Sequence, residues 1–305
     1  MLKVLILLST YNGEDYLEEL LNSVLNQSSV EVKVLIRDDF STDGTIDVLT
    51  RFKRISPNQI TLIAGKTNLG YKASFNFLMK YAHQHFSFDY IAFCDQDDVW
   101  YSNKLISALD KLVNIAANGK PKLYFSNLTV TDRFLNPRNE FFDRAPSLDF
   151  TKRLIENKAV GCTIVFNKWT LIKYLSVLRG DEENHDHLIF LVALIYGQVV
   201  YDKKSHIYYR QHNNNQIGYN SLMSKLKNRL TNFRSINKRP IESRAGYLIS
   251  ALDNIPNGNK YILTKFISYR HSLKTKMQIL LGSQFSKESR LDNFFFKFKV
   301  LFNLI

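Results

Sequence analysis

The sequence predicts an α/β protein whose mostly parallel sheet is covered by helices on both faces, followed by a basic helical appendage. Three observations predict it. Short aliphatic runs alternate with segments of helical periodicity through about residue 126, and such alternation builds a parallel sheet through right-handed crossovers. The runs are apolar without interruption, as strands buried on both faces are. The net charge of +13 is also lopsided. Residues 219–305 hold 16 Lys and Arg against 4 Asp and Glu, a net +12, whereas residues 1–218 hold 25 against 24. Composition therefore draws a boundary near Gly218. At 305 residues and 45% hydrophobic, the chain can bury a sizeable core.

Leu2 to Leu8 reads as the first buried strand, and Ser9 to Gly13 as the loop after it. From Glu14, apolar residues fall at Leu17, Leu20, Leu21, Val24 and Leu25, the spacing of one helix face, with Asn12 as candidate N-cap and Asp15 three residues on. The alternation continues with a strand at Glu31 to Ile36, a loop from Asp38 to Gly44, a helix from Thr45 to Phe52 and a strand at Ile60 to Ile63. A helix from Lys72 to His83, a strand at Tyr90 to Cys94, a helix from Asn103 to Ala116 and a strand at Leu123 to Ser126 complete it. Beyond this the pattern loosens. Asn136-Pro137 and Ala145-Pro146 mark turns, Val160 to Phe166 reads as a strand, and Leu188, Leu191, Val192 and Ile195 form one face of a helix.

In such sheets ligands bind outside the carboxyl ends of the strands, which brings together residues 9–13, 38–44 and 95–100. The third loop is the most distinctive, because the apolar run Tyr90 to Cys94 ends in Asp95, Asp97 and Asp98. Crowded carboxylates repel one another, and a divalent cation relieves this. Asp95 and Asp97 share a face if the strand continues, and oxygen-only ligands suit Mg or Mn. The competing reading is a solvated acidic turn with Asp98 or Asn103 capping the next helix. At the second loop Asp43 reads as a cap, while Asp39 is either a cap or an acceptor for a base imide N–H or a ribose hydroxyl.

Asp181 to His187 is acidic and histidine-rich at a helix start; Asp186 there is either an N-cap or a functional carboxylate. Arg210 and His212 end the Ile207 strand and share a face if extended, giving a cation beside a metal ligand or phosphate donor. Cys94 and Cys162 sit inside apolar runs and read as reduced core residues. No stretch is long enough to span a bilayer, and the apolar run at the N-terminus is too short for a signal segment. The expectation is a cytoplasmic protein, soluble or peripheral.

Leu8-Ser-Thr-Tyr-Asn-Gly, Arg37-Asp-Asp-Phe-Ser-Thr-Asp-Gly-Thr45, Asn68-Leu-Gly70 and Asp95-Gln-Asp-Asp98 together resemble the family 2 inverting glycosyltransferases of the GT-A fold, in the family's order and spacing. Asn184-His-Asp-His187 and the stretch from Tyr209 to Gly218 resemble bacterial rhamnosyltransferases that build surface polysaccharides. The likeness covers roughly residues 1–218, with a nucleotide-sugar half to about 126 and an acceptor half over 127–218. It implies that Ser9 and Tyr11 line the nucleotide pocket, that Asp39 accepts from the base, and that Asp95 lies near the ribose. It further implies Asp97 on an Mn or Mg ion, Asp186 as catalytic base, and His212 on metal or diphosphate. Arg210 would then stabilise the leaving diphosphate, and dTDP-rhamnose is the expected donor, with a UDP-hexose or UDP-N-acetylhexosamine as the alternative. One departure stands out: many members carry an acidic pair where this chain has His185-Asp186, which makes His185 a rival base.

A nucleotidyltransferase would show a glycine-rich phosphate cradle after the first strand, which residues 9–15 do not offer. A non-enzymatic polyanion binder is the other rival, suggested only by the basic tail, and no nucleic-acid partner is expected. In that tail Leu291, Phe294, Phe295, Phe298, Phe302 and Ile305 recur near helical spacing beside lysines. They read as an interfacial helix on an anionic membrane, where a lipid-linked saccharide acceptor would lie, or as a face packed on the catalytic domain.

Overall fold

The computed structural model describes residues 1–116, 119–180, 184–212 and 240–305. The chain forms two compact units, one of Met1–Ala145 with Ala159–His212 and one of Pro146–Lys158 with Asn213–Ile305. The second unit thus takes in a stretch that composition grouped with the first, and the charge boundary at Gly218 itself lies outside the described residues.

The first unit runs β1 (Lys3–Thr10), α1 (Glu14–Leu25), β2 (Glu31–Asp38), α2 (Thr45–Ile55), β3 (Ile60–Ala64), α3 (Tyr71–His85), β4 (Tyr90–Cys94), β5 (Val99–Trp100), α4 (Lys104–Val113), β6 (Lys122–Thr131) and β7 (Pro137–Glu140). After α5 (Phe150–Ile155), which belongs to the second unit, it resumes with β8 (Val165–Asn167), α6 (Lys168–Val177), α7 (His185–Tyr196) and β9 (Gln198–Arg210). The strands form one sheet in the order β3-β2-β1-β4-β8-β6-β9-β5, with β7 on β6. Its first four strands are all parallel. The sheet turns antiparallel at β8, which lies between β4 and β6, and parallel pairing returns between β6 and β9.

Register decides where the chemistry lies. Leu8 of β1 pairs with Ile36 of β2 on one side and Cys94 of β4 on the other, so the three polar loops leave the sheet at one edge and one level. Beneath them the strands are closed to water: Ile6, Leu7, Leu8, Val34, Leu35, Ile36 and residues Ile91 to Cys94 are all fully buried. Helix α1 adds Leu17, Leu20, Leu21 and Val24 to this core, each contributing about 1.5–3 kcal/mol on burial.

Three local expectations need correction. Gly13, not Asn12, occupies the N-cap of α1; Asn12 has a positive φ of 48° and turns its side chain to accept from Thr42 N at 2.8 Å. The apolar run Val160 to Phe166 is not one strand, because Gly161–Thr163 coils into a 3-10 turn before β8. The turn is held by Thr163 N donating to Val160 O at 2.9 Å. The strand expected over Leu123 to Ser126 extends to Thr131, with Leu128 and Val130 buried along it.

The second unit contains the helices α8 (Pro240–Ala251), α9 (Asn257–Ser268), α10 (Leu273–Leu281) and α11 (Arg290–Leu301), in keeping with the helical appendage expected there. They bury Leu248, Leu263, Phe266, Tyr269, Ile279, Phe285, Phe296 and Val300. Arg153 of α5 pairs with Glu288 at 2.7 Å, and Arg244 donates to Leu154 O at 3.1 Å. Ile305, grouped by spacing with the apolar set of the tail, lies beyond the end of α11 and is buried, its N–H meeting Tyr269 Oη at 3.4 Å.

Candidate active site

The three loops are stitched to one another by side chains. Gln96, the middle residue of Asp95-Gln96-Asp97, donates to Tyr11 O at 3.0 Å and accepts from Tyr11 N at 2.7 Å. A Cβ at Gly13 would meet that same side chain at 2.6 Å, so a larger residue here would displace Gln96 from its contacts with Tyr11. Between the first and second loops, Asn12 N donates to Ser41 Oγ at 3.0 Å and Gly13 N to Thr45 Oγ1 at 2.9 Å. Asp38 is buried and accepts from Thr10 Oγ1 at 3.0 Å and Ser41 N at 2.9 Å, so it organises the second loop from within. Gly44, not Asp43, occupies the N-cap of α2; Asp43, one residue before it, accepts from Thr45 N at 3.1 Å and so satisfies the first N–H of the helix.

The nucleotide-side residues divide into open and engaged. Tyr11 is 45% exposed, with its backbone held by Gln96. Ser9 Oγ donates to Ser74 Oγ at 2.6 Å. Asp39 is almost completely buried and accepts from Leu69 N at 2.8 Å, Gly70 N at 2.7 Å and the Arg37 guanidinium. Three donors leave about one of a carboxylate's four lone-pair positions for any further partner. Gly70 reaches this arrangement at a φ of 78°, a conformation that a side chain resists.

At the tip of β4, Asp98 is buried, with Oδ1 accepting from Arg210 N at 3.1 Å. Its Oδ2 has no hydrogen-bond partner among the described residues. Ligand atoms of Asp95, Asp98 and Cys162 lie within 4.8 Å of one another. Burial raises the pKa of Asp95, with the charges of Asp97 and Asp186 adding to the effect; burial likewise holds Asp98 well above the carboxylate range, helped by Asp97 and Asp95. A divalent cation at Asp97 fits this tip, since its charge would offset the repulsion by which Asp97 raises both neighbouring carboxylates. The chain also brings a buried lysine to this tip. Lys104, fully buried at the start of α4, donates to Cys162 O at 2.7 Å and stands 3.1 Å from the Trp100 ring centroid. Burial lowers its pKa to about 8.

Asp97 and His212, separated by 115 positions, meet with Nε2 2.9 Å from Oδ2. Arg210 does not present a free cation to a diphosphate. Its Nε donates to Asp97 O at 2.8 Å, its Nη1 to Arg133 O at 2.6 Å, and its Nη2 pairs with Glu19. The guanidinium braces the aspartate tip from β9.

Asp186 lies in the first turn of α7, whose N-cap is Asn184. Its Oδ1 accepts from His187 N at 2.7 Å, its Cβ is 3.7 Å from where a Cβ on Gly161 would stand, and its charge acts on Asp95. His185 Nε2 faces the same glycine, 3.9 Å from that Cβ position, but the ring is buried. It stacks on Phe75 at 4.3 Å and meets Phe93 edge-on at 4.9 Å, and burial drives its pKa down to about 3. Tyr71 Oη donates to Asn184 Oδ1 at 3.1 Å, joining the start of α3 to this turn. Residues 181–183 and the stretch from 213 to 218 lie outside the described residues.

Four residues here carry no sequence signal of their own. Gln96 stands at the unspecified position of its motif, Lys104 reads as a surface lysine in a helix's first turn, Cys162 as plain core, and Tyr16 of α1, on whose ring His212 stacks at 4.7 Å, as a half-buried flank.

Residues 5–175 match the family described as Glycosyl transferase family 2. The chain is 34% identical over 222 residues to the dTDP-rhamnosyl transferase RfbG of Shigella flexneri, covering 70% of this chain and 74% of that protein. It is 28% identical over 186 residues to the Escherichia coli glucosyltransferase WfgD, named as acting on α-D-GlcNAc-diphosphoundecaprenol, with 60% and 66% covered. Among solved structures it resembles residues 1–349 of Staphylococcus aureus TarS in complex with UDP-GlcNAc, at a TM-score of 0.57 and 17% identity, over 93% of this chain and 78% of that one. It also resembles the mannosyltransferase PcManGT of Pyrobaculum calidifontis in complex with GDP-Man and Mn2+, at 0.54 and 16%, over 98% and 79%. These structural likenesses carry the GT-A fold, and the matched residues carry the family: the chain belongs to glycosyl transferase family 2.

Proposed function

We propose that the protein transfers rhamnose from dTDP-rhamnose, with inversion, to a hydroxyl of a lipid-linked bacterial surface polysaccharide. The observation that carries the reading is the meeting of the Asp95-Gln96-Asp97 tip, the exposed Tyr11 and Asp186 at one sheet edge, with the Asp186 charge acting on Asp95. Tyr11 and Ser9 receive the nucleoside, and Asp39 keeps the second loop shaped for the base. Asp95 lies toward the ribose. Asp97 and His212 would hold an Mn or Mg ion, which when bound supplies charge stabilisation to a leaving diphosphate. Asp186 takes the proton of the acceptor hydroxyl as it attacks, a contribution of about 10²–10⁴-fold. Inversion needs no covalent intermediate, consistent with Cys94 and Cys162 being buried with pKa values raised by burial.

The rhamnose assignment draws on the similarity to RfbG, and the lipid-linked acceptor on the similarity to WfgD. A panel of nucleotide-sugars offered with and without Mn2+, scored by released nucleoside diphosphate, tests both donor and metal. Turnover of dTDP-rhamnose alone is expected. Turnover only of a UDP-hexose or UDP-N-acetylhexosamine rejects the donor.

The second unit suits attachment to an anionic membrane at the inner face of the cell. Leu273, Met277 and Leu281 form an exposed stripe along α10, and Leu291, Phe294, Leu301 and Phe302 an exposed set on α11, with Lys274, Lys287 and Arg290 in the same region of the chain. Each Lys or Arg near anionic lipid contributes about 1 kcal/mol. No helix among the described residues is long and apolar enough to cross a membrane, so the contact would be interfacial. Flotation with anionic but not neutral liposomes is expected, and its loss in a Leu281→Ser, Phe294→Ser, Phe302→Ser variant. Equal flotation of variant and parent rejects this face.

A further inference from the structure

We infer that Tyr16, on helix α1, is a positioning residue that sets the direction in which His212 meets Asp97; this rests on the metal-site reading of those two residues. The Tyr16 ring is touched by both members of the Arg210/His212 pair. His212 stacks on it with centroids 4.7 Å apart and an interplanar angle of 27°, and the Arg210 guanidinium carbon lies 4.9 Å from its centroid. Two residues apart at the end of β9, the cation and the imidazole share a face, and that face is laid on one aromatic surface.

The geometry gives each partner a separate task. Arg210 fixes the carbonyl of Asp97 at 2.8 Å and, through its own N–H, the carboxylate of Asp98 at 3.1 Å. It thereby sets where the aspartate tip stands. His212 then meets the Asp97 carboxylate at 2.9 Å, and the direction of that contact lies in the plane of the imidazole ring. Stacking fixes that plane. Glu19, one turn further along α1, pairs with Arg210 but is more than half exposed, and exposed ion pairs contribute little. In metal sites the groups that orient a ligand typically change affinity 10- to 100-fold when removed.

The test compares Tyr16→Ala with Tyr16→Phe, reading Mn2+ affinity by electron paramagnetic resonance and the 15N signals of the His212 ring without metal. Tyr16→Ala is expected to weaken Mn2+ binding at least about tenfold and to shift or broaden the His212 signals. Tyr16→Phe, which keeps the ring, is expected to match the parent in both. Parent-like His212 signals and Mn2+ affinity in Tyr16→Ala overturn the inference. If the parent binds no Mn2+ while Tyr16→Ala still disturbs His212, the metal reading falls and the positioning role stands.

Discussion

His185 is held neutral in an aromatic cage, and replacing it with phenylalanine tests both that state and the choice of base. Its pKa is driven from 6.5 to about 3, chiefly by burial. A native state that refuses a proton while the unfolded chain accepts one loses stability as pH falls. Loss begins below pH 6.5 and continues to about pH 3, at about 1.4 kcal/mol per pH unit. Between pH 6.5 and 5 the parent should therefore lose about 2 kcal/mol that His185→Phe retains. Any fixed packing cost of the larger ring against Phe75 and Phe93 shifts the variant equally at both pH values, so the difference between slopes isolates the imidazole. Urea unfolding of both proteins at the two pH values measures it. Turnover by His185→Phe should stay within a few fold of the parent, whereas Asp186→Asn should lose at least about a hundredfold with donor binding intact. Parallel pH slopes, or a histidine variant as inactive as Asp186→Asn, would refute the reasoning.

Asp97→Ala should abolish turnover without lowering the melting temperature, and chelator should do the same to the parent; full activity in chelator rejects the metal. Asp95 carries the opposite pH signature to His185: its pKa is raised, chiefly by burial, so without metal its contribution to stability declines as pH rises above 4, and Asp95→Asn should flatten that decline. Gln96→Ala frees the Tyr11 backbone and should raise the KM for donor more than it lowers kcat, and an unchanged KM would argue against the clasp.

Patterns confined to one element were legible from sequence. The uninterrupted apolar strands and the i, i+3, i+4 spacing of α1 follow from local burial, and the meeting of three polar loops at one edge follows from the parallel alternation they imply. What sequence could not carry was pairing across distance. Arg210 reads as a free cation until β9 is seen beside β5, which turns its guanidinium onto Asp97 O. Asp39 reads as open until the Asn68–Gly70 turn is folded back onto it. Lys104 shows the same limit, since nothing in its neighbours announces a lysine buried among carboxylates. The cap at Asn12 failed for a different reason: with a positive φ at Asn12, the chain places Gly13 at the helix start and sends the Asn12 side chain across to the second loop.

The long reach from Asp98 to Arg210 has a consequence for synthesis. The two are 112 positions apart and joined by the Arg210 N–H. Translation at about 5–20 residues per second therefore separates their emergence by roughly 6–22 s. Throughout that interval β1 to β4 are already available to pair, yet the aspartate tip has neither its brace nor His212. A ribosome-bound chain stopped shortly after β8 should thus hold a folded parallel half with an unfinished, strongly anionic mouth. Such a nascent chain would need its last strand before it could hold a substrate.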